Sequence, residues 1–175
     1  MFTIESTSWD RVKLFWEKWK NYDITVPTFG LNIDKVYVDL DSVLKQPFDN
    51  FTHQELNKTL GFYQDGILRG TCTIKDTSTI AERRFPRLVG IANMAIDPAY
   101  RNNGIGTELM KVVDMYISNN DFNLSILYPS VYSQEIKFYS KFGYIPYGDT
   151  MIKSYAKSNI SKKDLDKYIQ QIGKF

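Results

Sequence analysis

The stretch Ile91-Ala-Asn-Met-Ala-Ile-Asp-Pro-Ala-Tyr-Arg-Asn-Asn-Gly-Ile-Gly-Thr-Glu-Leu-Met110 decides the reading of this chain. An apolar run ends at Asp97-Pro98, and a short polar loop follows with Arg101, Gly104 and Gly106. An amphipathic pattern begins at once, with Ile105, Leu109, Val112, Val113 and Tyr116 on one face at helical spacing. A strand therefore feeds a glycine loop that opens a helix. The first N–H groups of a helix lack intrahelical acceptors, and the helix dipole is positive at that end, so such a loop is a ready anion site. A side chain at Gly104 or Gly106 would hold a phosphate away from the backbone. The pattern implies a phosphate-bearing ligand.

Other phosphate-binding patterns fit less well. A dinucleotide fold asks for Gly-x-Gly-x-x-Gly, and the third glycine position here holds Leu109. A Walker A loop needs Gly-Lys-Ser/Thr after its glycines, and this chain has none. A plain glycine turn that only starts a helix is the remaining alternative.

Outward from this stretch the pattern predicts an α/β protein with a mixed sheet. Phe2 to Glu5 reads as a first strand, and Thr7-x-x-Asp10 resembles a capping box before a helix with Val12, Phe15, Trp16 and Trp19 on one face. Pro27, Gly30 and Pro47 interrupt residues 22 to 57, where Lys35 to Leu40 fits a strand or an extended loop. Thr59 to Tyr63, a turn at Asp65-Gly66 and Ile67 to Lys75 predict a hairpin, with the return strand running toward Ile80. Leu88 to Ile96 has almost no polar face and reads as a central strand. After the helix from Gly104 to about Ser118 come a strand at Leu124 to Leu127, a helix at Ser133 to Lys141, and strands at Tyr144 to Tyr147 and Met151 to Tyr155. Ser161-x-x-Asp164 is a second capping box, opening a C-terminal helix with Leu165, Tyr168, Ile169 and Ile172 on one face.

The chain's 175 residues suit one domain, and 43% hydrophobic with 24% charged residues is an ordinary globular balance. A net charge of +2 gives no reason to expect nucleic acid as a partner. Cys72 is the only cysteine, so no disulfide forms within the chain, which fits a cytoplasmic location. No apolar run of about 18 residues exists to span a membrane, and Met1-Phe-Thr-Ile-Glu5 lacks the pattern of a signal peptide. One histidine, His53, and one cysteine make a metal site of the zinc type unexpected.

Two motifs together resemble the GNAT superfamily of N-acetyltransferases. The first is the acyl-CoA loop pattern Gln/Arg-x-x-Gly-x-Gly/Ala, matched by Arg101, Gly104 and Gly106. The second is Phe138-Tyr-Ser-Lys-Phe-Gly-Tyr144, similar to the family's Phe-Tyr-x-x-x-Gly-Phe/Tyr element. The resemblance covers about Thr59 to Tyr155. It implies a largely antiparallel twisted sheet with splayed central strands, flanked by helices, with an extra C-terminal helix.

It also implies a division of labour. Backbone around Met94, Ala95 and Ile96 would bind the pantetheine arm of acetyl-CoA, and N–H groups from Asn102, Asn103, Gly104, Ile105, Gly106 and Thr107 would hold the pyrophosphate. Arg101 would add positive charge there, and an N–H near Met94 would polarise the thioester carbonyl. Tyr139 would reprotonate the thiolate leaving group, although on spacing alone it reads as a core aromatic beside Phe138 and Phe142.

The chain also departs from the family. Tyr132 stands where many relatives carry an asparagine, and Gly90, Ala92 and Asn93 fill the places where some carry a basic glutamate. The general base is therefore open among a water chain, a carboxylate of the 34 to 49 region and the terminal carboxylate of Phe175. His53 has a suitable ordinary pKa, but Phe51-Thr-His-Gln-Glu55 also reads as a surface helix start. Asp34, Asp39, Asp41 and Asp49 are either a solvated loop or an attractor for a cationic amine. Arg83, Arg84 and Arg87 read as a surface patch, with the CoA 3′-phosphate as the alternative, and Cys72 as a small core residue.

The expectation is an enzyme that moves acetyl from acetyl-CoA, without a metal, to an amine of a small molecule, peptide or protein. The terminal helices would shape the acceptor pocket or a homodimer contact. A non-catalytic acyl-CoA-binding or interaction module on the same fold is the alternative.

Overall fold

Leu88–Ile96, apolar except for Asn93, forms an inner strand of a mixed sheet in the computed structural model. The structure describes residues 1–19, 33, 36–39, 42, 49–51, 55–76, 88–129, 133–155 and 161–172. The elements are β1 (Phe2–Ser6), α1 (Trp9–Trp19), β2 (Val36–Val38), β3 (Asp49–Phe51), β4 (Glu55–Gln64), β5 (Ile67–Asp76), β6 (Leu88–Ile96), a 3-10 turn (Pro98–Tyr100), α2 (Ile105–Asn119), β7 (Leu124–Leu127), α3 (Ser133–Ser140), β8 (Ile145–Tyr147), β9 (Thr150–Ser154) and α4 (Lys162–Ile172). Strand order is β2-β1-β4-β5-β6-β7-β9-β8, with β3 off that path against β4. The pairs β1/β2 and β6/β7 are parallel, whereas β1/β4, β7/β9 and β8/β9 are antiparallel. The α/β class and the largely antiparallel mixed sheet are as the sequence predicted.

The chain divides into two compact units. The first comprises Met1–Asp49, Asn57–Ile74 and Asn93–Tyr116. Its core gathers Ile4, Val12, Leu60, Phe62, Ile74, Ile105, Leu109 and Val113, all buried. The helix α2 packs closely on β5 because Gly70 has no side chain. A Cβ there would lie 2.9 Å from Ile105 Cγ2 and 3.0 Å from Ile96 Cδ1. The β4–β5 hairpin turns through Asp65 and Gly66, both left-handed, as a type I′ turn requires.

The second unit comprises Asn50–Leu56, Lys75–Ala92 and Ile117–Phe175. Four consecutive residues of β7 are buried between β6 and β9, which explains their uninterrupted apolar character apart from Ser125. Ser125 Oγ meets Tyr144 OH at 2.7 Å, so its burial is compensated. Leu88, Leu124, Ile126 and Ile152 form a cluster covered by Tyr128, Tyr147 and Leu165. Leu165 belongs to α4, whose start is the predicted capping box: Asp164 N–H donates to Ser161 Oγ at 3.2 Å and Ser161 Oγ–H donates to Asp164 Oδ2 at 2.7 Å. The side chains of Tyr168, Ile169 and Ile172 lie outside the described residues.

The structure corrects two expectations. Thr7 does not cap α1. Its N–H donates to Thr59 O and its Oγ1 pairs with Tyr63 OH at 2.6 Å, so Ser8 takes the cap, accepting from Arg11 N–H. The predicted face of α1 does turn inward: Val12 is fully buried and Phe15, Trp16 and Trp19 are half-buried, while Lys13, Glu17 and Lys18 are exposed. Phe51 ends a strand instead of opening a helix. Lys35 to Leu40 does contain a strand, β2, parallel to β1.

Candidate active site

In the first unit, the end of β6 is tied firmly to β5. Asp97 N–H donates to Arg69 O at 2.8 Å, and Asp97 Oδ2 accepts from Arg69 Nη1 at 2.8 Å. The Arg69 guanidinium also lies 4.2 Å over the Tyr100 ring. Asp97 Oδ1 accepts from Ala99 N–H and so caps the 3-10 turn, with Pro98 at its start. These contacts hold the strand end and the loop as one rigid corner.

The loop then bends through two left-handed residues, Asn102 at φ +60° and Gly104 at φ +88°. Asn103 between them donates from Nδ2 to Arg101 O at 2.7 Å and to Tyr100 O at 3.2 Å, closing the turn on itself. Glu108 N–H donates to Gly104 O at 3.0 Å and so makes the first hydrogen bond of the helix. Ile105, Gly106 and Thr107 therefore present the amides for which a helix has no internal acceptor. They stand at the positive end of a 15-residue helix. Such an arrangement binds a phosphate or pyrophosphate.

Arg101 turns back along the chain. Its Nε donates to Ile96 O at 3.0 Å and its Nη2 reaches Trp19 O at 3.5 Å. Its charge stays beside the loop while its fork fixes the loop to β6 and α1. Of the pantetheine candidates, Ala95 is buried and Met94 and Ile96 are half-buried on β6. The ladder of β6 with β7 covers Leu88–Ile91, so β6 runs on past it through these residues. Asn93, just before them, has a left-handed φ of +51°. Its side-chain Nδ2 donates to Thr73 Oγ1 at 3.1 Å, and its carbonyl accepts from Thr71 Oγ1 at 2.9 Å. Sequence reasoning missed this arrangement. Thr71 and Thr73 read as an ordinary alternating strand face, and no local pattern marks Asn93 as left-handed.

Tyr139 lies in the second unit, on the last turn of α3, and is 7% exposed. Its ring stands edge-on to Phe138 at 5.0 Å and to Tyr144 at 6.1 Å. Phe142 N–H and Tyr144 N–H both turn back to its carbonyl, at 3.0 and 3.4 Å, through a left-handed Gly143. The motif Phe138 to Tyr144 thus builds a helix stop that holds one aromatic ring in a fixed cage.

The other candidates separate. Cys72 is fully buried, and desolvation pushes its thiol up to about 12, so it is a core residue. Asp39 accepts from Ser42 N–H at 3.0 Å and continues the chain from β2. His53, Tyr132, Arg83, Arg84, Arg87, Asp34, Asp41 and Phe175 lie outside the described residues, as does the side chain of Asp49. Among the described residues there is no cluster of three or more metal-ligating side chains, and no helix is long and apolar enough to cross a membrane.

The Acetyltransferase (GNAT) domain family matches residues 55–146, so this corner, its loop and the Tyr139 element all fall within one family pattern. The chain belongs to the GNAT acetyltransferase family. Two solved structures share the fold over at least 90% of this chain. The ribosomal-protein-S18-alanine N-acetyltransferase from Escherichia coli is 15% identical, with a TM-score of 0.55 over 92% of this chain and 99% of that one. A GNAT family acetyltransferase from Brucella melitensis in complex with acetyl-CoA is 13% identical, with a TM-score of 0.54 over 90% of each chain. The PaiA N-acetyltransferase from Thermoplasma acidophilum in complex with coenzyme A is 23% identical, with a TM-score of 0.46. There the match covers 57% of this chain and 61% of that one. Comparison with curated protein sequences gives no match.

Proposed function

We propose that the 175 residues form one acyl-CoA-dependent N-acyltransferase domain that passes acetyl from acetyl-CoA to a primary amine by direct attack in a ternary complex. The observation that carries the reading is the start of α2 at Ile105, Gly106 and Thr107, whose amides have no acceptor within the helix, on the loop that follows β6 inside the family match. The acetyl-CoA complex of the Brucella melitensis GNAT family acetyltransferase supports the choice of ligand. These amides hold the pyrophosphate, and the Asn102 and Gly104 turns bring the backbone to it.

Acetyl-CoA supplies an activated acyl group as a thioester. An N–H near Met94 hydrogen-bonds the thioester oxygen as it gains charge. The amine nitrogen forms a bond to the carbonyl carbon, the C–S bond breaks, and Tyr139 OH gives its proton to the departing sulfur. The amine's own proton leaves to a base that this reading does not assign. A thiol near pKa 8.5 is a fair leaving group, so help from Tyr139 speeds the step without being obligatory.

The direct test is the thermal unfolding midpoint with acetyl-CoA, with NAD and ATP as controls. A ligand that binds only the folded state at 100 times its Kd stabilises by roughly 2.7 kcal/mol. A rise with acetyl-CoA alone supports the reading, and thiol release over a panel of amines then identifies the acceptor. No rise at millimolar acetyl-CoA overturns it.

A further inference from the structure

We infer that Thr71, Asn93 and Thr73 form a clamp that aims the Met94 N–H, and that this clamp positions the thioester for attack. The inference rests on the acyl-CoA reading above. Asn93 departs from its strand with φ +51°, a conformation that asparagine tolerates better than other non-glycine residues. Two independent bonds hold it there, Thr71 Oγ1 donating to its carbonyl at 2.9 Å and its Nδ2 donating to Thr73 Oγ1 at 3.1 Å. Thr71 and Thr73 are two residues apart on β5, so their side chains share one face of the strand, and both are fully buried. Their hydroxyls therefore grip one residue of β6 from one side.

The consequence follows from peptide geometry. A trans peptide holds its C=O and the next N–H pointing in opposite directions. Capture of the Asn93 carbonyl by Thr71 thus fixes the Met94 N–H to point away from β5, toward the opposite edge of β6. The regular ladder along that edge covers Leu88–Ile91, so Met94 stands beyond it. A donor locked in direction before the ligand arrives costs no reorganisation when charge develops on the thioester oxygen. Thr71, Asn93 and Thr73 act through Met94 and are positioning residues.

The test compares wild type with Thr71→Val, which keeps shape and loses the donor, Thr71→Ser, which keeps the donor, and Asn93→Gly, which keeps the backbone freedom and loses the amide. Two readouts are taken: the backbone amide resonance of Met94 with and without saturating acetyl-CoA, and kcat and KM for acetyl-CoA in thiol release. In wild type, acetyl-CoA should move the Met94 resonance. Thr71→Val should shift that resonance in the free protein and lower kcat about tenfold, with KM changed by less than about threefold. Thr71→Ser should restore both, and Asn93→Gly should fall between. If Thr71→Val does not fold, the serine and glycine variants carry the comparison. A Thr71→Val protein with the wild-type Met94 resonance and wild-type kcat overturns the clamp. A Met94 resonance that ignores acetyl-CoA in a wild-type protein that turns it over does the same. A wild-type protein that neither binds acetyl-CoA nor releases thiol overturns the acyl-CoA reading itself, before any variant is made.

Discussion

Ile33 Cδ1 sits 2.8 Å from where a Cβ on Gly104 would stand. Gly104 also holds φ at +88°, in the left-handed region. Two separate costs therefore meet any side chain at this position. One is a steric clash with Ile33 and the other is the backbone conformation. Gly104→Ala should destabilise the fold by about 1–2 kcal/mol and weaken acetyl-CoA binding, because the loop must shift to relieve the clash. Adding Ile33→Ala should recover the steric part and leave the backbone part. Urea unfolding and acetyl-CoA titration on the two single variants and the double variant read both terms as a cycle. Full additivity would show that the Ile33 contact is not the source of the clash.

The Tyr139 hydroxyl can be removed while the ring stays. Phenylalanine would keep the edge-on contacts with Phe138 and Tyr144. Tyr139→Phe should slow thiol release on an accepted amine by about ten- to a hundredfold, below the roughly hundred- to ten-thousandfold usual for a general acid because a thiol leaves readily, and should leave CoA affinity nearly unchanged. The deficit should shrink with acyl donors whose thiols leave more readily, because these need the proton less. Equal rates for the two proteins would return Tyr139 to the status of a packed aromatic.

The sequence was most legible where local pattern and final environment agree. Leu88 to Ile96 reads as an inner strand because both of its faces meet protein, and β6 has those bounds. Ser161 and Asp164 cap α4 as their spacing predicts, since both partners of the capping box lie within one turn. Thr7 and Asp10 offer the same local pattern and fail. A contact 56 residues away, with Tyr63, takes the Thr7 hydroxyl. The strand β3 off Asp49–Phe51 was hidden because three residues carry no periodicity of their own. At the candidate site the glycine loop was legible through its residue types. The Asn93 turn was not, because both of its clamps come from another strand.

Cys72 should be silent to thiol reagents in the native protein. It is 0% exposed, and burial holds its thiol up at about 12, against a smaller opposing pull from the Thr73 backbone. The thiolate is the reactive form, so neither access nor ionisation favours reaction near neutral pH. A disulfide-exchange reagent at pH 8 should modify Cys72 only as fast as the chain unfolds, and in urea the labelling rate should follow the unfolding transition. Stoichiometric labelling within seconds under native conditions would show that this part of β5 is open.

Lys58 on β4 should give the fold an alkaline stabilisation. Its side chain is 1% exposed, and desolvation lowers its pKa from 10.5 to about 8. Its Nζ lies 4.8 Å from the centroid of the Tyr116 ring, a contact that favours the charged form but does not offset the burial. The sign follows from proton counting. Below pH 8 both folded and unfolded chains hold the proton, and the fold bears the net cost of burying the cation. Between pH 8 and 10.5 the unfolded chain binds more protons than the folded one, so stability rises with pH. Above that window both states are neutral and the cost is gone. From pH 7 to pH 9.5 the gain from this one group should be about 2 kcal/mol. Other groups titrate over the same range, so the measurement is a difference: urea unfolding of wild type and Lys58→Met at both pH values. The stability gap between the two proteins should move by that amount in favour of wild type as pH rises. Parallel curves would mean that Lys58 titrates in the fold much as it does in the unfolded chain.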